Sequence, residues 1–520
     1  GVFDGIWISQ DGGSSWTGPH NRGFNNANPY ISSIAIDPDD TDVIYAADYY
    51  SGTYQSTDKG NTWSPFPDWE FSGLTVRAVK DIAISDEFIY VATEGGGVFR
   101  YERVPVAIAG VNTFYLPYYQ AQEGSFTGFA VANYSIQSAN IQFRVYDVNG
   151  TSVNFPNNPA KFTVDAGSQL AKVGHEIFGT ENSTDQAGWV ELTTDNPEIS
   201  SFFQFGTTTL TQLDGSVAFA GQAKKFYLPR IFAGPTSFRG QPASTFVSIA
   251  NPNTEPISLQ LTLHLAEGTL EKTRTIPGKG FLYESILEVF DAGTVIAGGY
   301  LEVEVTEGEG AIGFELIQLD NHETVIGLNA SFGNSATQSF SAQLASQGGL
   351  FTNVNLINTS LEPRTIKLSA VGSDGTNLAS TVGMTLEVGE QWNQDARSLF
   401  DIQAESVVGS LRVESDGEGV IGDVIFGDPV DFAFAASMPL QTETFTQAVF
   451  GQVANMTGFI TGLALYNPSQ NDTDITIEVM SAGGKTVGQS IQPLGAGLRL
   501  SKLVPELVPT SEGQVGGYIR

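Results

Sequence analysis

Ile257-Ser258-Leu259-Gln260-Leu261-Thr262-Leu263-His264-Leu265 decides the fold of this chain. Aliphatic residues alternate there with polar ones, and a period of two places the aliphatics on one face of a half-buried strand. Upstream lie Phe226-Tyr227-Leu228-Pro229 and a corner at Asn251-Pro252. Downstream, Gly299-Tyr300-Leu301-Glu302-Val303-Glu304-Val305 alternates again, Glu307-Gly308-Glu309-Gly310 turns the chain, and Ile312 and Phe314 mark a returning strand. This order predicts one antiparallel β-sandwich module.

The same plan recurs on either side. Asn133, Asn251, Asn358 and Asn467 stand 118, 107 and 109 residues apart. Apolar residues follow each of them at three fixed offsets: Ile141, Phe143 and Val145; Leu259, Leu261 and Leu263; Ile366, Leu368 and Ala370; Ile475, Ile477 and Val479. Each strand ends in a turn, namely Asp147-Val148-Asn149-Gly150, Ala266-Glu267-Gly268, Ser373-Asp374-Gly375 and Ala482-Gly483-Gly484. Gly188, Gly299, Gly409 and Gly517 then lead a second strand, with Val190, Leu301, Leu411 and Ile519 inward. Glu191, Glu302, Arg412 and Arg520 face outward. Before each Gly-led strand, Glu176-Ile177-Phe178, Glu288-Val289-Phe290, Ser398-Leu399-Phe400 and Glu506-Leu507-Val508 predict a short helix or turn that plugs one end of the sandwich.

Composition agrees with an all-β chain. The 58 glycines and 34 phenylalanines suit strands joined by many tight turns. With 24 Lys and Arg against 57 Asp and Glu, the net charge is −33, so nucleic acid is repelled and is not expected as a partner. No run of 18 apolar residues is present, so no transmembrane helix is expected. There is no cysteine, which excludes disulfides and thiolate metal sites.

The first hundred residues carry a different repeat. Ser9-Gln10-Asp11-Gly12-Gly13-Ser14-Ser15-Trp16 and Ser56-Thr57-Asp58-Lys59-Gly60-Asn61-Thr62-Trp63 share Ser-x-Asp-x-Gly-x-Ser/Thr-Trp, 47 residues apart. Ile34-Ala35-Ile36-Asp37 answers Ile82-Ala83-Ile84-Ser85, and Tyr45-Ala46-Ala47 answers Tyr90-Val91-Ala92. Gly5-Ile6-Trp7, Gly52-Thr53-Tyr54 and Gly97-Val98-Phe99 mark a further strand, at the spacing of a propeller blade. In these turns Asp11 and Asp58 can accept backbone N–H bonds, Gly13 and Gly60 supply positive φ, and Trp16 and Trp63 can bury against the neighbouring sheet. The motif resembles the Asp-box of sialidases, sortilin-like receptors, some glycoside hydrolases and photosystem assembly factors, all β-propellers. That resemblance implies a structural role for Ser9, Asp11, Gly13, Ser15, Trp16, Ser56, Asp58, Gly60, Thr62 and Trp63, on hairpin turns away from a catalytic face.

The expected architecture is therefore a partial Asp-box propeller over 1–103 and four sandwich repeats over 112–223, 224–335, 336–442 and 443–520. Short linkers such as Gly333-Asn334-Ser335-Ala336-Thr337 suggest semi-rigid beads. The plan looks like the tandem immunoglobulin-like modules of bacterial or archaeal surface proteins. Ile199 to Phe205, Ile312 to Leu319 and Ile421 to Phe426 partner the Gly-led strand in the first three repeats, whereas Gly517-Tyr518-Ile519-Arg520 has no such successor. Two expectations follow: the chain is a segment of a longer polypeptide, or neighbouring copies complete each other head to tail.

Chemistry is sparse. His20, His175, His264 and His322 are scattered without metal-ligand spacing, and His264, on the polar face of a strand, reads as a plain surface residue. Asp37, Asp39, Asp40 and Asp42 read as a solvated turn because the spacing of an EF-hand is missing. Arg22, Arg77, Arg100 and Arg103 are present without the Phe/Tyr-Arg-Ile-Pro sequence of sialidases. No catalytic residue, metal or cofactor is assigned. Asn133, Asn182, Asn329, Asn358, Asn455 and Asn471 head glycosylation sequons, and Asn133 and Asn358 double as corner residues. Trp69, Tyr49 and Tyr50 read as loop packing with stacking on sugars as the alternative. The functional expectation is an extracellular or cell-surface structural or adhesive protein, self-associating or bound to neighbouring surface proteins. The alternative is a secreted carbohydrate-binding or glycosidase-like protein with its site on the propeller.

Overall fold

The Ile257–Leu265 strand buries Ile257, Leu259, Leu261 and Leu263, as its alternation requires. It lies in a four-stranded antiparallel sheet between Gly299–Glu307 and Gly268–Ile276, with Lys225–Leu228 at the far edge. The computed structural model describes residues 5–9, 12–37, 43–66, 78–84, 88–102, 112–180, 186–293, 295–319, 324–333, 336–346, 350–402, 407–428, 434–456 and 458–520. Among the described residues strand makes up 57% and helix 5%, so the fold is all-β, and the described sheets close into neither a barrel nor a propeller.

Two compact units divide at Val111/Asn112. In the first, Ile31–Ile36, Ile44–Asp48, Gly52–Ser56 and Ser64–Pro65 form one antiparallel sheet in chain order. Val79–Ile84, Phe88–Thr93 and Gly97–Glu102 form another. Tyr45 and Ala47 of one sheet, with Val43 just before it, pack on Val79, Ile82, Ile89 and Val91 of the other.

The second unit repeats a two-sheet plan. Over 112–217, one sheet runs Ala160–Val164, Ala139–Tyr146, Gln186–Thr194, Asn112–Ala121, and the other Gln169–Val173, Ser125–Asn133, Ile199–Thr207, Leu213–Val217. The third repeat follows suit, with Gln338–Ser346, Val407–Ser415, Arg364–Gly372, Val382–Leu386 facing Gln391–Asp395, Phe351–Asn358, Val420–Gly427, Ala435–Pro439. Towards residue 520 the plan thins. Thr486–Leu494, Thr473–Met480 and Tyr518–Ile519 form one sheet, and the facing sheet holds Gly462–Tyr466 with Arg499–Leu503 alone among the described residues.

Each repeat has a one-turn helix as its plug: Gly174–Phe178, Ile286–Phe290, Ala396–Leu399 and Val504–Leu507. Ile177, Phe178, Ile286, Val289, Leu399 and Leu507 point into the cores. Ser285 caps its helix by accepting the Glu288 N–H at 3.3 Å, while the Glu288 carboxylate accepts the Ser285 N–H at 3.0 Å.

The asparagine corners have one geometry. The side-chain amide of Asn133, Asn251, Asn358 and Asn467 donates to the carbonyl four residues on, Gln137, Glu255, Glu362 or Asn471, at 2.7–2.9 Å. It also donates to a carbonyl pair across the sheet end, such as Leu386 at 3.0 Å and Glu387 at 3.1 Å for Asn358. Its Oδ1 accepts the N–H two residues on at 3.0–3.1 Å. Only an amide donates and accepts in this way, which accounts for Asn at all four corners.

Candidate functional site

The sequence-derived candidates fall in two places. In the Ser56 to Trp63 turn, the Asp58 carboxylate accepts the Thr62 N–H at 2.8 Å and the Thr62 hydroxyl at 2.6 Å. Burial is the largest single influence on Asp58 and raises its pKa, but the bonds from Thr62, Ser56 and Asn61 together outweigh it and hold the group below the usual carboxylate range. Gly60 (φ +84°) donates its N–H to Ser56 Oγ at 2.8 Å, and Trp63 Nε1 donates to Gly60 O at 3.1 Å. The Ser9 to Trp16 turn repeats two of these bonds, Gly13 N–H to Ser9 Oγ at 2.7 Å and Trp16 Nε1 to Gly13 O at 3.1 Å. Gly12 is at φ +69° and Ser15 is exposed, while Asp11 lies outside the described residues. The two tryptophans differ: Trp63 is 5% exposed and packs with Ile6, Ile31 and Tyr54, whereas Trp16 is 59% exposed. The expectation that Trp16 buries is corrected: its indole closes the turn through Gly13 and stays exposed.

Two further expectations change. Asp37 is 1% exposed, with its N–H on Val43 O at 3.0 Å, so it is not part of a solvated turn; Asp39, Asp40 and Asp42 lie outside the described residues. His264 is not a plain surface residue, because its ring stacks on Tyr300 at 4.3 Å and Nε2 lies 3.6 Å from Glu302. His20 Nε2 is 3.2 Å from Thr17 Oγ1; His322, Arg77, Arg103, Trp69 and Asn182 lie outside the described residues. Among the described residues no group of three His, Cys, Asp or Glu is placed to hold a metal. No described helix is long and apolar enough to cross a membrane.

The arrangement that organises the second unit was not anticipated from the residues. In each of the first three repeats the opening strand sets two residues against one of the Gly-led strand. Pro117-Tyr118 sits between the Leu116–Val190 and Tyr119–Gly188 pairs, and Ala342-Gln343 between Ser341–Leu411 and Leu344–Gly409. Pro229-Arg230 follows the Leu228–Leu301 pair and precedes Ile231, whose N–H donates to Gly299 O at 2.9 Å. In the fourth, Gly451-Gln452 on one side and Gly517-Tyr518 on the other lie between the Phe450–Ile519 bridge and Val453, whose carbonyl accepts the Gly516 N–H at 2.9 Å. A bulge turns a carbonyl out of the ladder, and a carbonyl left unpaired in a buried place is costly.

In all four cases another repeat supplies the donor. Ser248 Oγ donates to Pro117 O at 2.5 Å; Asn355 Nδ2 and Gln391 Nε2 donate to Pro229 O at 3.2 and 2.8 Å. Arg499 Nε donates to Ala342 O at 2.5 Å, and Gln169 Nε2 to Gly451 O at 2.5 Å. The series runs from first repeat to second, second to third, third to fourth, and fourth back to first. Gln169 and Ala482 close it further, the Gln169 N–H reaching Ala482 O at 2.9 Å and Gln169 Oε1 accepting the Gly517 N–H at 2.6 Å. The joints therefore form a cycle, and the expectation of beads on short linkers is corrected. Apolar surface is shared across them: Phe314, Leu316 and Val325 complete the first repeat's core, and Phe351, Ile425 and Ala435 complete a cluster around Phe238 and Ile317. At roughly 1.5–3 kcal/mol for each fully buried large side chain, such clusters outweigh the freedom of a short linker.

The joint between second and third repeats holds the strongest charges. Arg230 is fully buried; its Nε lies 2.5 Å from Asp423 Oδ1, and its Nη1 donates to Asn353 Oδ1. Asn355 Nδ2 donates to Asp423 Oδ2 at 2.7 Å. The Arg230 N–H donates to the Glu315 carboxylate at 3.0 Å. Burial pushes the pKa of Glu315 well up, and pushes up that of Asp423 against the pull of the Arg230 guanidinium. One arginine thus serves two enclosed carboxyls, Asp423 through its guanidinium and Glu315 through its backbone N–H, an arrangement that fixes how two sandwiches meet. The signal in the sequence was Phe-Tyr-Leu-Pro at 226–229, which recurs at 114–117; in both places its proline carries the bulge carbonyl. No protein-family model and no curated protein matches this chain.

Proposed function

We propose that the protein is a structural or adhesive component of the cell exterior, with its four sandwich repeats acting as one preassembled block. The observation that carries this reading is the cycle of bulge-carbonyl joints, which spends the buried polar side chains of the repeats on holding sandwiches together. The net charge of −33 and the lack of cysteine suit a durable acidic surface protein that relies on core size instead of staples. The Asp-box turns support a propeller-like first unit of the kind seen in secreted and receptor proteins.

Self-association is part of the proposal. Gly462–Tyr466 pairs with Arg499–Leu503 on one side and has no ladder partner on the other among the described residues. Exposed apolar side chains gather in this repeat, including Phe445, Phe450, Met456 and Ile460. An open edge with apolar surroundings takes up a further strand, here one from a second copy. Thr461 O accepts the Val504 N–H, so by alternation Ala464 directs its N–H to the open side.

Immunogold electron microscopy of cells that make the protein, with sedimentation of the purified chain over a hundredfold concentration range, tests this. Label at the cell exterior and a weight-average mass that rises with concentration, abolished by Ala464→Pro, is the expected result. Label confined to the cell interior overturns the surface assignment. A monomer at every concentration overturns the strand-addition part.

A further inference from the structure

Three tyrosines of the first unit are held firmly and belong to neither of its cores. Tyr30 precedes the Ile31–Ile36 strand, and Tyr49 and Tyr50 form the turn between Ile44–Asp48 and Gly52–Ser56. The clusters around Val43 and Tyr45, and around Tyr54 and Trp63, include none of them. Their rings nevertheless pack on one another: Tyr49 and Tyr50 at 4.9 Å edge to face, Tyr30 and Tyr49 at 5.8 Å, Tyr30 and Tyr50 at 6.0 Å. Tyr50 is 68% exposed.

The backbone beneath them is locked. Asp48 is fully buried, and its Oδ1 accepts the N–H of Tyr30 and of Tyr50, each at 3.2 Å. Its Oδ2 accepts the Ser51 hydroxyl, and the Tyr49 N–H donates to Tyr30 O at 2.9 Å. One enclosed carboxylate therefore fixes both chain segments that carry the rings, so little order remains to be created when something binds.

Polar groups stand beside the rings. Lys80 Nζ sits 4.6 Å over the Tyr49 ring and 3.1 Å from Glu94, whose carboxylate accepts the Tyr49 hydroxyl. Lys80 and Glu94 are each about half exposed, at 51% and 52%. The exposed Tyr50 ring lies edge to face on Tyr49, which carries the Lys80 and Glu94 pair, so an aromatic platform stands one ring away from a donor and an acceptor of opposite charge. A pyranose ring fits such a setting, with its C–H face on the platform and its hydroxyls reaching the polar pair. The charge of the chain selects among glycans, because a net −33 opposes sulfated, phosphorylated or sialylated chains.

We propose that Tyr30, Tyr49 and Tyr50, with Lys80 and Glu94, form a binding site for a neutral hexopyranose residue of a glycan. Tyr50 is the stacking platform, Glu94 accepts from ring hydroxyls, Lys80 donates to them, and Asp48 is the positioning residue. This deepens the adhesive half of the proposed function by naming the class of partner.

The full chain is tested on an array of neutral and acidic glycans, and the best neutral oligosaccharide is then titrated by calorimetry into wild type, Tyr50→Ala, Tyr50→Trp and Glu94→Gln. The expected result is binding confined to neutral glycans, weakened at least tenfold by Tyr50→Ala and severalfold by Glu94→Gln, and retained by Tyr50→Trp. Circular dichroism of each variant separates loss of the ring from loss of the fold. Absence of neutral-glycan binding by the folded wild type overturns the site, as does equal affinity in Tyr50→Ala, preference for acidic glycans, or capture of an unglycosylated peptide in their place. None of these outcomes bears on localisation or on assembly through Gly462–Tyr466, so the two proposals fail separately.

Discussion

Arg230 shows how much rests on one side chain in this molecule. Its guanidinium meets Asp423 at 2.5 Å in a fully enclosed joint, where Asn355 is the other donor to that carboxylate. Replacing Arg230 by Met keeps most of the bulk and strands the Asp423 charge, so about 3–5 kcal/mol of stability should be lost. Replacing both, as Arg230→Met with Asp423→Leu, should recover most of that loss, because removing a buried pair together leaves no uncompensated charge. Urea unfolding midpoints of the three proteins decide the matter; a double variant as weak as the single one would show that the pair does more than neutralise itself. The corner asparagines were legible in the sequence as recurring positions. Their reason was not, because the carbonyls they satisfy, such as Leu386 and Glu387 for Asn358, lie 28 and 29 residues away.

Among the elements, the Leu213–Val217 strand carries a pH-dependent contact between the first and second repeats. Asp214 accepts the Gly327 N–H at 2.7 Å and the Gly215 N–H at 2.8 Å. The residue keeps some exposed surface, but its carboxylate is enclosed, and burial pushes its pKa up to about 7 against the pull of the two N–H groups. A carboxyl whose folded pKa exceeds its unfolded value of 3.8 binds its proton more tightly when folded. Its contribution is therefore full below that unfolded value and is lost as pH rises through about 7. Asp214→Asn should remove this decline and, allowing for partial exposure, raise stability at pH 8 by about 1–2 kcal/mol. Thermal melts of both proteins from pH 4 to pH 8 read the effect, and parallel profiles would place the titration elsewhere. The strands themselves were readable from alternation, and the four plugs from their spacing. The bulges were hidden, because two residues set against one, such as Pro117-Tyr118 or Ala342-Gln343, have no shared composition and show only as a slip in pairing.

At the scale of the second unit, closure of the cycle rests on the contact between fourth and first repeats. Gln169 there bonds to Gly451 O at 2.5 Å and to Gly517 O at 2.9 Å, and Tyr518 Oη donates to Gly167 O at 2.9 Å. Ala132, Met480 and Tyr518 give this joint a small apolar cluster compared with those of the first and second repeats. It is thus the place where the cycle should open first. Gln169→Ala should raise amide exchange at residues 167–169, 451 and 517 at least tenfold and leave the Arg230 joint unchanged. Hydrogen exchange followed by mass spectrometry measures both regions at once; uniform exchange across them would mean that the block opens as a whole.

By itself the sequence determined that this is an all-β chain, that a module recurs four times, and where its strands, turns, corners and plugs lie. Those features depend on side-chain period and on residues that favour one backbone conformation, and both are local. Tertiary structure alone decided that the modules close into a cycle, that Trp16 stays exposed while Trp63 is buried, and that Arg230, Glu315 and Asp423 meet. Each of those outcomes depends on which surfaces face one another across long separations, such as the 193 residues between Arg230 and Asp423. A partner chosen by packing leaves no period in the sequence to read.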